Sequence, residues 1–223
     1  MNRRRSSTLI GLAALALLFA GTARADLHIG LSSLINGSTP TGVTPWLDAV
    51  FHTNTAGDVT LTMSNLMPAA EITDDWMFNV LVNGGLDATS LVAHYVSGPA
   101  YTLTQRSSQS DNGGSNMKAG LFNLHFAWTT ANNANRFSGG RTVVMEFTGG
   151  GITEDSFDVL SAVDTRYGIT TAVSAAHIQG IPPSTSGSVR GDVVPPVPEP
   201  GSILLFLGAA AGLAPAIRRR FAR

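Results

Sequence analysis

The chain has 223 residues, of which 43% are hydrophobic and only 13% charged, and it contains no cysteine. This length suits one domain with appendages, and the missing thiols exclude disulfides, thiolate catalysis and cysteine metal sites. The net charge of −1 averages over unlike parts, because eight of the 14 basic residues lie near the two ends. Between Asp26 and Arg190, six basic residues face thirteen acidic ones, a net charge of −7 that argues against nucleic-acid binding.

Residues 1–25 contain the three parts of a secretory signal peptide. Arginines 3 to 5 precede a short apolar run over residues 9–20, and Ala23 and Ala25 occupy the −3 and −1 positions of a cleavage site. The apolar run is short for a membrane span, although an uncleaved amphipathic anchor is the alternative. We therefore expect export through the Sec translocon, removal of the segment by signal peptidase, and a mature chain that begins at Asp26.

Residues 26–181 consist of short alternating apolar and polar stretches between turn-forming residues, a pattern typical of β-strands. In the first clear example, Val59, Leu61 and Met63 share one face. The alternating stretches are Asp58–Met63, Trp76–Val82, Phe122–Trp128 and Thr142–Phe147, with Pro45–Phe51 and Leu91–Tyr95 as less regular candidates. The pattern predicts an all-β domain, an antiparallel β-sandwich or jelly roll, in which Trp76 and Trp128 belong to the core.

The C-terminal part of the chain has three segments. Residues 182–200 are rich in Pro, Gly and Ser and predict an extended stalk. Residues 201–217 are almost wholly apolar and would span about 25 Å as a helix, which is marginal for a bilayer core of about 30 Å. The basic tail, residues 218–223, includes Arg218, Arg219 and Arg220, which favour a cytoplasmic C-terminus. We therefore predict a transmembrane helix that anchors the chain, at least transiently, with the acidic domain outside.

These C-terminal segments resemble the PEP-CTERM sorting signal over residues 197–223. The residues that carry the motif are Val197, Pro198, Glu199, Pro200 and Gly201. The resemblance implies an exosortase as partner, a membrane-embedded transpeptidase-like enzyme of Gram-negative bacteria that make extracellular polysaccharide. It also implies sorting and processing, and a location in the cell envelope, at the cell surface or in the extracellular matrix. An ordinary tail anchor with a proline-rich stalk is the alternative.

The middle domain is similar to a recurrent group of exported proteins of unknown function that carry this sorting signal. The likeness lies in Trp76-x-Phe78-Asn79 and in residues 175–181. It implies a family and no activity. We expect a non-enzymatic binding or structural component associated with exopolysaccharide or biofilm, for which Trp46 and Tyr95 or Tyr101 are the candidate sugar-stacking residues.

The sequence offers little catalytic chemistry, and we expect neither a catalytic site nor a cofactor. No serine lies in a Gly-x-Ser-x-Gly elbow, and no two histidines have the spacing of metal ligands. We interpret His177 as a residue that ends a strand and hydrogen-bonds a backbone carbonyl. The alternative is a surface hydrolase acting on glycan or peptide, with His177 and acids from Glu154, Asp155 and Asp158.

The acidic residues cluster in two places, and we interpret both clusters as solvated loops. The clusters are Glu71, Asp74 and Asp75, and Glu154, Asp155 and Asp158, with Asp111-Asn112 as a further oxygen-rich site. A calcium-stabilised adhesin is the alternative, because calcium requires several oxygen ligands. An ice-binding-type adhesin would need rows of Thr-x-Thr, of which Thr60 and Thr62 give one pair.

Overall fold

The computed structural model describes residues 25–111, 117–166, 171–183 and 185–195. The described residues contain eleven β-strands and two short 3₁₀ helices, Ala88–Ser90 and Glu154–Phe157. In chain order the strands are β1 (Leu27–Gly37), β2 (Leu47–Thr53), β3 (Val59–Asn65), β4 (Ile72–Phe78), β5 (Val92–Ser97), β6 (Thr102–Gln105), β7 (Leu124–Ala127), β8 (Phe137–Ser138), β9 (Thr142–Thr148), β10 (Ser174–Ile181) and β11 (Thr185–Val194). The predicted all-β, antiparallel class is confirmed.

All strands belong to one hydrogen-bonded sheet. Its order is β5-β9-β3-β2-β1-β11-β10-β4-β7-β6, and β8 pairs separately with β4. Strands β1, β2 and β3 are hairpin neighbours, whereas β9 pairs with β3 and β5 from later in the chain, and β11 brings the end of the domain back beside β1. The sequence suggested a sandwich or jelly roll, and the structure has one continuous antiparallel sheet that curls into a half-barrel.

The curl is visible in contacts between residues that the sheet order separates. Phe51 on β2 and Phe78 on β4 have three strands between them, yet their ring centroids are 5.4 Å apart. Phe157 of the second 3₁₀ helix stacks on Phe51 at 4.2 Å. Edge-to-face and stacked ring pairs of this kind add to the free energy of apolar burial. The inward face of the curled sheet thus forms the main core.

The alternation read from the sequence identifies this inward face correctly. Val59, Leu61 and Met63 are fully buried, and so are the apolar residues of β9 that lie on the same side of the sheet. Successive side chains of a strand point to opposite faces, which explains the alternation of buried and half-buried residues along β3. Trp76 and Trp128 also lie in the core, as predicted.

Part of the sheet is covered on its outer face as well. Met77 of β4 and Ala175 of β10 pack there against Met117, Ala119 and Phe122, which precede β7. Burial on both faces removes the alternation, because every position in such a stretch favours a small or apolar residue. This explains why β10 has no clear strand pattern in the sequence. The predicted stretch Trp76–Val82 overlaps β4 only from Trp76 to Phe78.

The predicted boundary between domain and stalk needs correction. Residues 182–200 were expected to form a stalk outside a domain of residues 26–181, but Thr185–Val194 is strand β11, in the middle of the sheet. Glycine and serine make this segment resemble a linker, but they fit a crowded position. A Cβ atom at Gly191 would lie 2.6 Å from the carbonyl oxygen of Gly30 on β1. The folded unit therefore extends to about Val193.

Several predicted features lie outside the described residues. They are the signal peptide up to Arg24, the sorting motif of residues 197–201, the helix of residues 201–217, the basic tail and Asn112. Within the described part of the chain, no helix has the length and apolar character needed to cross a membrane.

Candidate Asp–His site

Two aspartates and a histidine meet on the outer face of the sheet, where β4 pairs with β10. Asp75 pairs with His177 in the register, and the next pair is Thr73 with Ile178, so Asp74 is the additional residue of a β-bulge. A bulge redirects side chains that a regular strand would place on opposite faces. Here both consecutive aspartates reach His177, and the three residues can each offer one ligand atom within 4.8 Å of the others.

Asp74 is held from both sides by residues of β10. The imidazole of His177 donates from Nδ1 to Asp74 Oδ1 at 2.8 Å. The side-chain amide of Gln179 donates to the other oxygen, Oδ2. Both donors fix the orientation of the carboxylate, and the side chains of Asp74 and His177 are only 12% and 13% exposed.

Asp75 connects this group to β7 and to the loop after β6. His125 donates from Nε2 to Asp75 Oδ1 at 2.8 Å and from Nδ1 to Asp111 Oδ2 at 3.3 Å. Arg106 donates from Nε to the same Asp111 oxygen at 2.9 Å. Three aspartates and two histidines thus form one network, which we call the Asp–His cluster (Asp74, Asp75, Asp111, His125 and His177).

The carboxylates change the acid–base properties of both imidazoles. Burial alone would lower the pKa of His125, but its hydrogen bonds to Asp111 and Asp75 raise that pKa to about 9. The hydrogen bond from His177 to Asp74 raises the pKa of His177 above its ordinary value, against the opposing effect of burial. The His125 imidazolium therefore offsets the charge of carboxylates that are largely removed from water.

The structure divides the acidic cluster that the sequence suggested. Asp74 and Asp75 belong to the Asp–His cluster, whereas Glu71 is buried elsewhere and accepts hydrogen bonds from the backbone N–H and the hydroxyl of Thr41. The interpretation of these residues as solvated loop acids is therefore wrong. Asp111, which the sequence suggested as part of a further oxygen-rich site, is buried as well.

His177 also differs from its sequence interpretation. It lies inside β10 rather than at its end, and its partner is the carboxylate of Asp74 instead of a backbone carbonyl. The hydrolase alternative paired His177 with Glu154, but Glu154 contacts Thr53 at the end of β2. Glu154 of the second 3₁₀ helix thus contacts the end of β2, whereas His177 lies on β10.

His125 was not identified as a site residue, although the sequence contains a signal. In Phe122–Trp128 the apolar side chains occupy alternate positions, so His125 must point away from the core. Asp74 and Asp75 directly precede another predicted strand, Trp76–Val82. The sequence does not show that β7 pairs with β4, which places His125 opposite Met77 and within reach of Asp75.

The candidate sugar-stacking residues have different environments. Trp46 is 6% exposed and belongs to the core, so it is wrong as a surface platform. Tyr95 on the edge strand β5 is 53% exposed, and its ring centroid lies 6.0 Å from that of the half-buried Tyr101. Among the residues that the structure describes, these two tyrosines form an accessible aromatic surface.

No family model, curated protein or solved structure matches the chain.

Proposed function

We propose that this chain is an exported, non-enzymatic protein that an exosortase sorts to the cell surface or extracellular matrix. The observation that carries the proposal is the order of the C-terminal segments: a proline-rich motif, an apolar stretch and an arginine tail. The location of β11 supports it, because the last strand ends at Val194 and the motif begins at Val197. Cleavage at the motif would therefore release a complete β-domain, whereas cleavage a few residues earlier would remove part of a central strand.

The proposed role of the domain is to bind or organise extracellular polysaccharide. Sugar rings stack on exposed aromatic side chains, and Tyr95 and Tyr101 provide such a pair at the edge of the sheet. The acidic character of the domain favours neutral or cation-bridged glycans over polyanions. A glycan array and a polysaccharide pull-down with residues 26–195 test this role. Loss of binding in Tyr95→Ala, with binding retained in a Val43→Ala variant at another exposed apolar position, is the expected result.

The sorting proposal is tested by the mass of the mature protein. The full gene is expressed in its host with and without the exosortase, and in a variant with Glu199→Ala in the motif. The proposal predicts loss of residues C-terminal to the motif only when both the enzyme and Glu199 are present. Retention of the apolar segment in the host that has the enzyme would show that the segment is an ordinary anchor.

A further inference from the structure

We infer that Asp74, Asp75 and His177 form a binding site for a divalent transition-metal ion, with zinc as the best-matched ion. The three side chains carry ligand atoms of the types that bind zinc. One imidazole and two carboxylates can each provide one ligand atom, and these atoms lie within 4.8 Å of one another. Three such ligands on two paired strands match the open type of zinc site, in which water takes the remaining position.

Neighbouring side chains hydrogen-bond the proposed carboxylate ligands. Metal-bound carboxylates and imidazoles are usually oriented by a further shell of donors and acceptors. Gln179 donates to Oδ2 of Asp74, and His125 donates to Oδ1 of Asp75 at 2.8 Å. His125 is itself held by Asp111, which Arg106 contacts. Each proposed carboxylate ligand therefore has a neighbour that fixes its orientation.

A β-bulge in the backbone brings the proposed ligands together. A regular strand would direct Asp74 and Asp75 to opposite faces, and one of them would enter the core beside Trp76. The bulge between β4 and β10 instead brings both carboxylates to His177. The aspartates are thereby held next to each other at a position that is mostly removed from solvent, where a metal ion on His177 would take over from a proton on His177 in offsetting their charge.

The ligand types favour zinc over calcium. Calcium binds six to eight oxygen atoms and rarely an imidazole, whereas imidazole suits zinc and related ions. Glu71 could have added a carboxylate to an oxygen-rich calcium site, but it is buried against Thr41. Zinc would replace the proton that His177 Nδ1 donates to Asp74, since a metal ligand must be unprotonated.

The test uses the full chain in mild detergent and three single variants. Zinc binding is measured by competition with a chromogenic chelator. His177→Gln removes a proposed ligand, and Gln179→Leu removes a positioning residue. The matched control is His52→Gln, because His52 also contacts a carboxylate, that of Asp26 at 2.7 Å, but in an exposed pair that belongs to no three-ligand group among the described residues. Thermal melting monitored by circular dichroism checks that each variant folds.

We expect one zinc site in the wild type and in His52→Gln. Affinity should fall by more than about tenfold in His177→Gln and by about tenfold in Gln179→Leu. Zinc should also raise the melting temperature of the wild type, and calcium at the same concentration should not. Equal zinc affinity in the wild type and His177→Gln, or no saturable zinc binding by the wild type, would overturn the inference.

A second readout decides the case in which His177→Gln fails to fold. Cobalt(II) is added to the wild-type chain and its visible absorption is recorded. A site with imidazole and carboxylate ligands in low coordination gives strong d–d bands that zinc abolishes. A spectrum equal to that of aqueous cobalt would contradict the site whatever the variant does.

Discussion

Individual carboxylates in this domain differ in what their charge contributes to stability. Asp48 on β2 is half-buried, and this burial raises its pKa above the ordinary value, although nearby His28 lowers it in part. The folded state then binds a proton more tightly than the unfolded chain does. The charge of Asp48 is therefore destabilising above the folded pKa, and stability increases as the pH falls through that value.

Because burial disfavours the charge of Asp48, we predict that Asp48→Asn stabilises the domain at neutral pH. The gain should be a small rise in melting temperature that shrinks as the pH falls towards the ordinary aspartate pKa of 3.8, below which both states are protonated. Melting curves across this pH range measure the effect, with Asp155→Asn as a control at an exposed carboxylate. A variant that is less stable than the wild type at neutral pH would show that His28 outweighs burial.

The buried carboxylate of Glu71 is held by hydrogen bonds from Thr41 and should stabilise the fold. It is 1% exposed and accepts from the backbone N–H of Thr41 at 3.0 Å and from the Thr41 hydroxyl. Hydrogen bonds to a charged group contribute about 1.5–3 kcal/mol. Glu71→Ala should therefore lower the free energy of unfolding by about 2 kcal/mol, as measured by denaturant titration.

The controls for this prediction separate charge from shape. Glu71→Gln retains an acceptor and nearly the same volume, so its loss should be smaller. Asp158→Ala removes an exposed carboxylate and should change stability by no more than about 0.5 kcal/mol. If Glu71→Ala were as stable as Asp158→Ala, the contact with Thr41 would contribute nothing to the folded state.

At the level of elements, β11 is the strand whose importance the sequence hides most. It lies between β1 and β10, and Val189 at its centre is fully buried. Removing it would expose the edges of both neighbouring strands and part of the core. We predict that a chain ending at Ile181 does not unfold cooperatively, whereas a chain ending at Pro195 does.

Thermal unfolding of the two truncated chains, both beginning at Asp26, measures this difference. Gly191→Val serves as a variant without truncation, because its side chain would collide with the carbonyl of Gly30 and should destabilise the pairing of β11 with β1. A cooperative transition at the same temperature in both truncated chains would mean that β11 is dispensable.

Strands β3 and β9, in which buried and half-buried residues alternate, could be predicted from the sequence, whereas β10 and β11 could not. The stretches around Leu61 and Met145 alternate clearly and correspond to β3 and β9. β10 has small residues because its outer face is also covered, and β11 has the composition of a linker. The Asp–His cluster depends on the pairing of β4 with β10 and on a bulge, and neither register nor bulge position is encoded in local periodicity.

On the scale of the whole molecule, the charge distribution has a consequence for the proposed processing. The eight arginines near the ends belong to the segments that signal peptidase and exosortase would remove. The remaining chain from Asp26 to Glu199 has six basic and fifteen acidic residues, a net charge of −9. A strongly charged protein stays soluble and avoids partners of like charge.

Two-ended processing therefore predicts a large change in isoelectric point. The full-length sequence has an isoelectric point of about 6.5, and the processed protein should focus well below that value. Isoelectric focusing of the protein from hosts with and without the exosortase measures the change, and the host without the enzyme should give an intermediate species that lacks only the signal peptide. The four arginines after residue 217 are the only basic residues beyond Arg190. If the isoelectric point is the same in the two hosts, the basic tail is retained and the exosortase proposal is wrong.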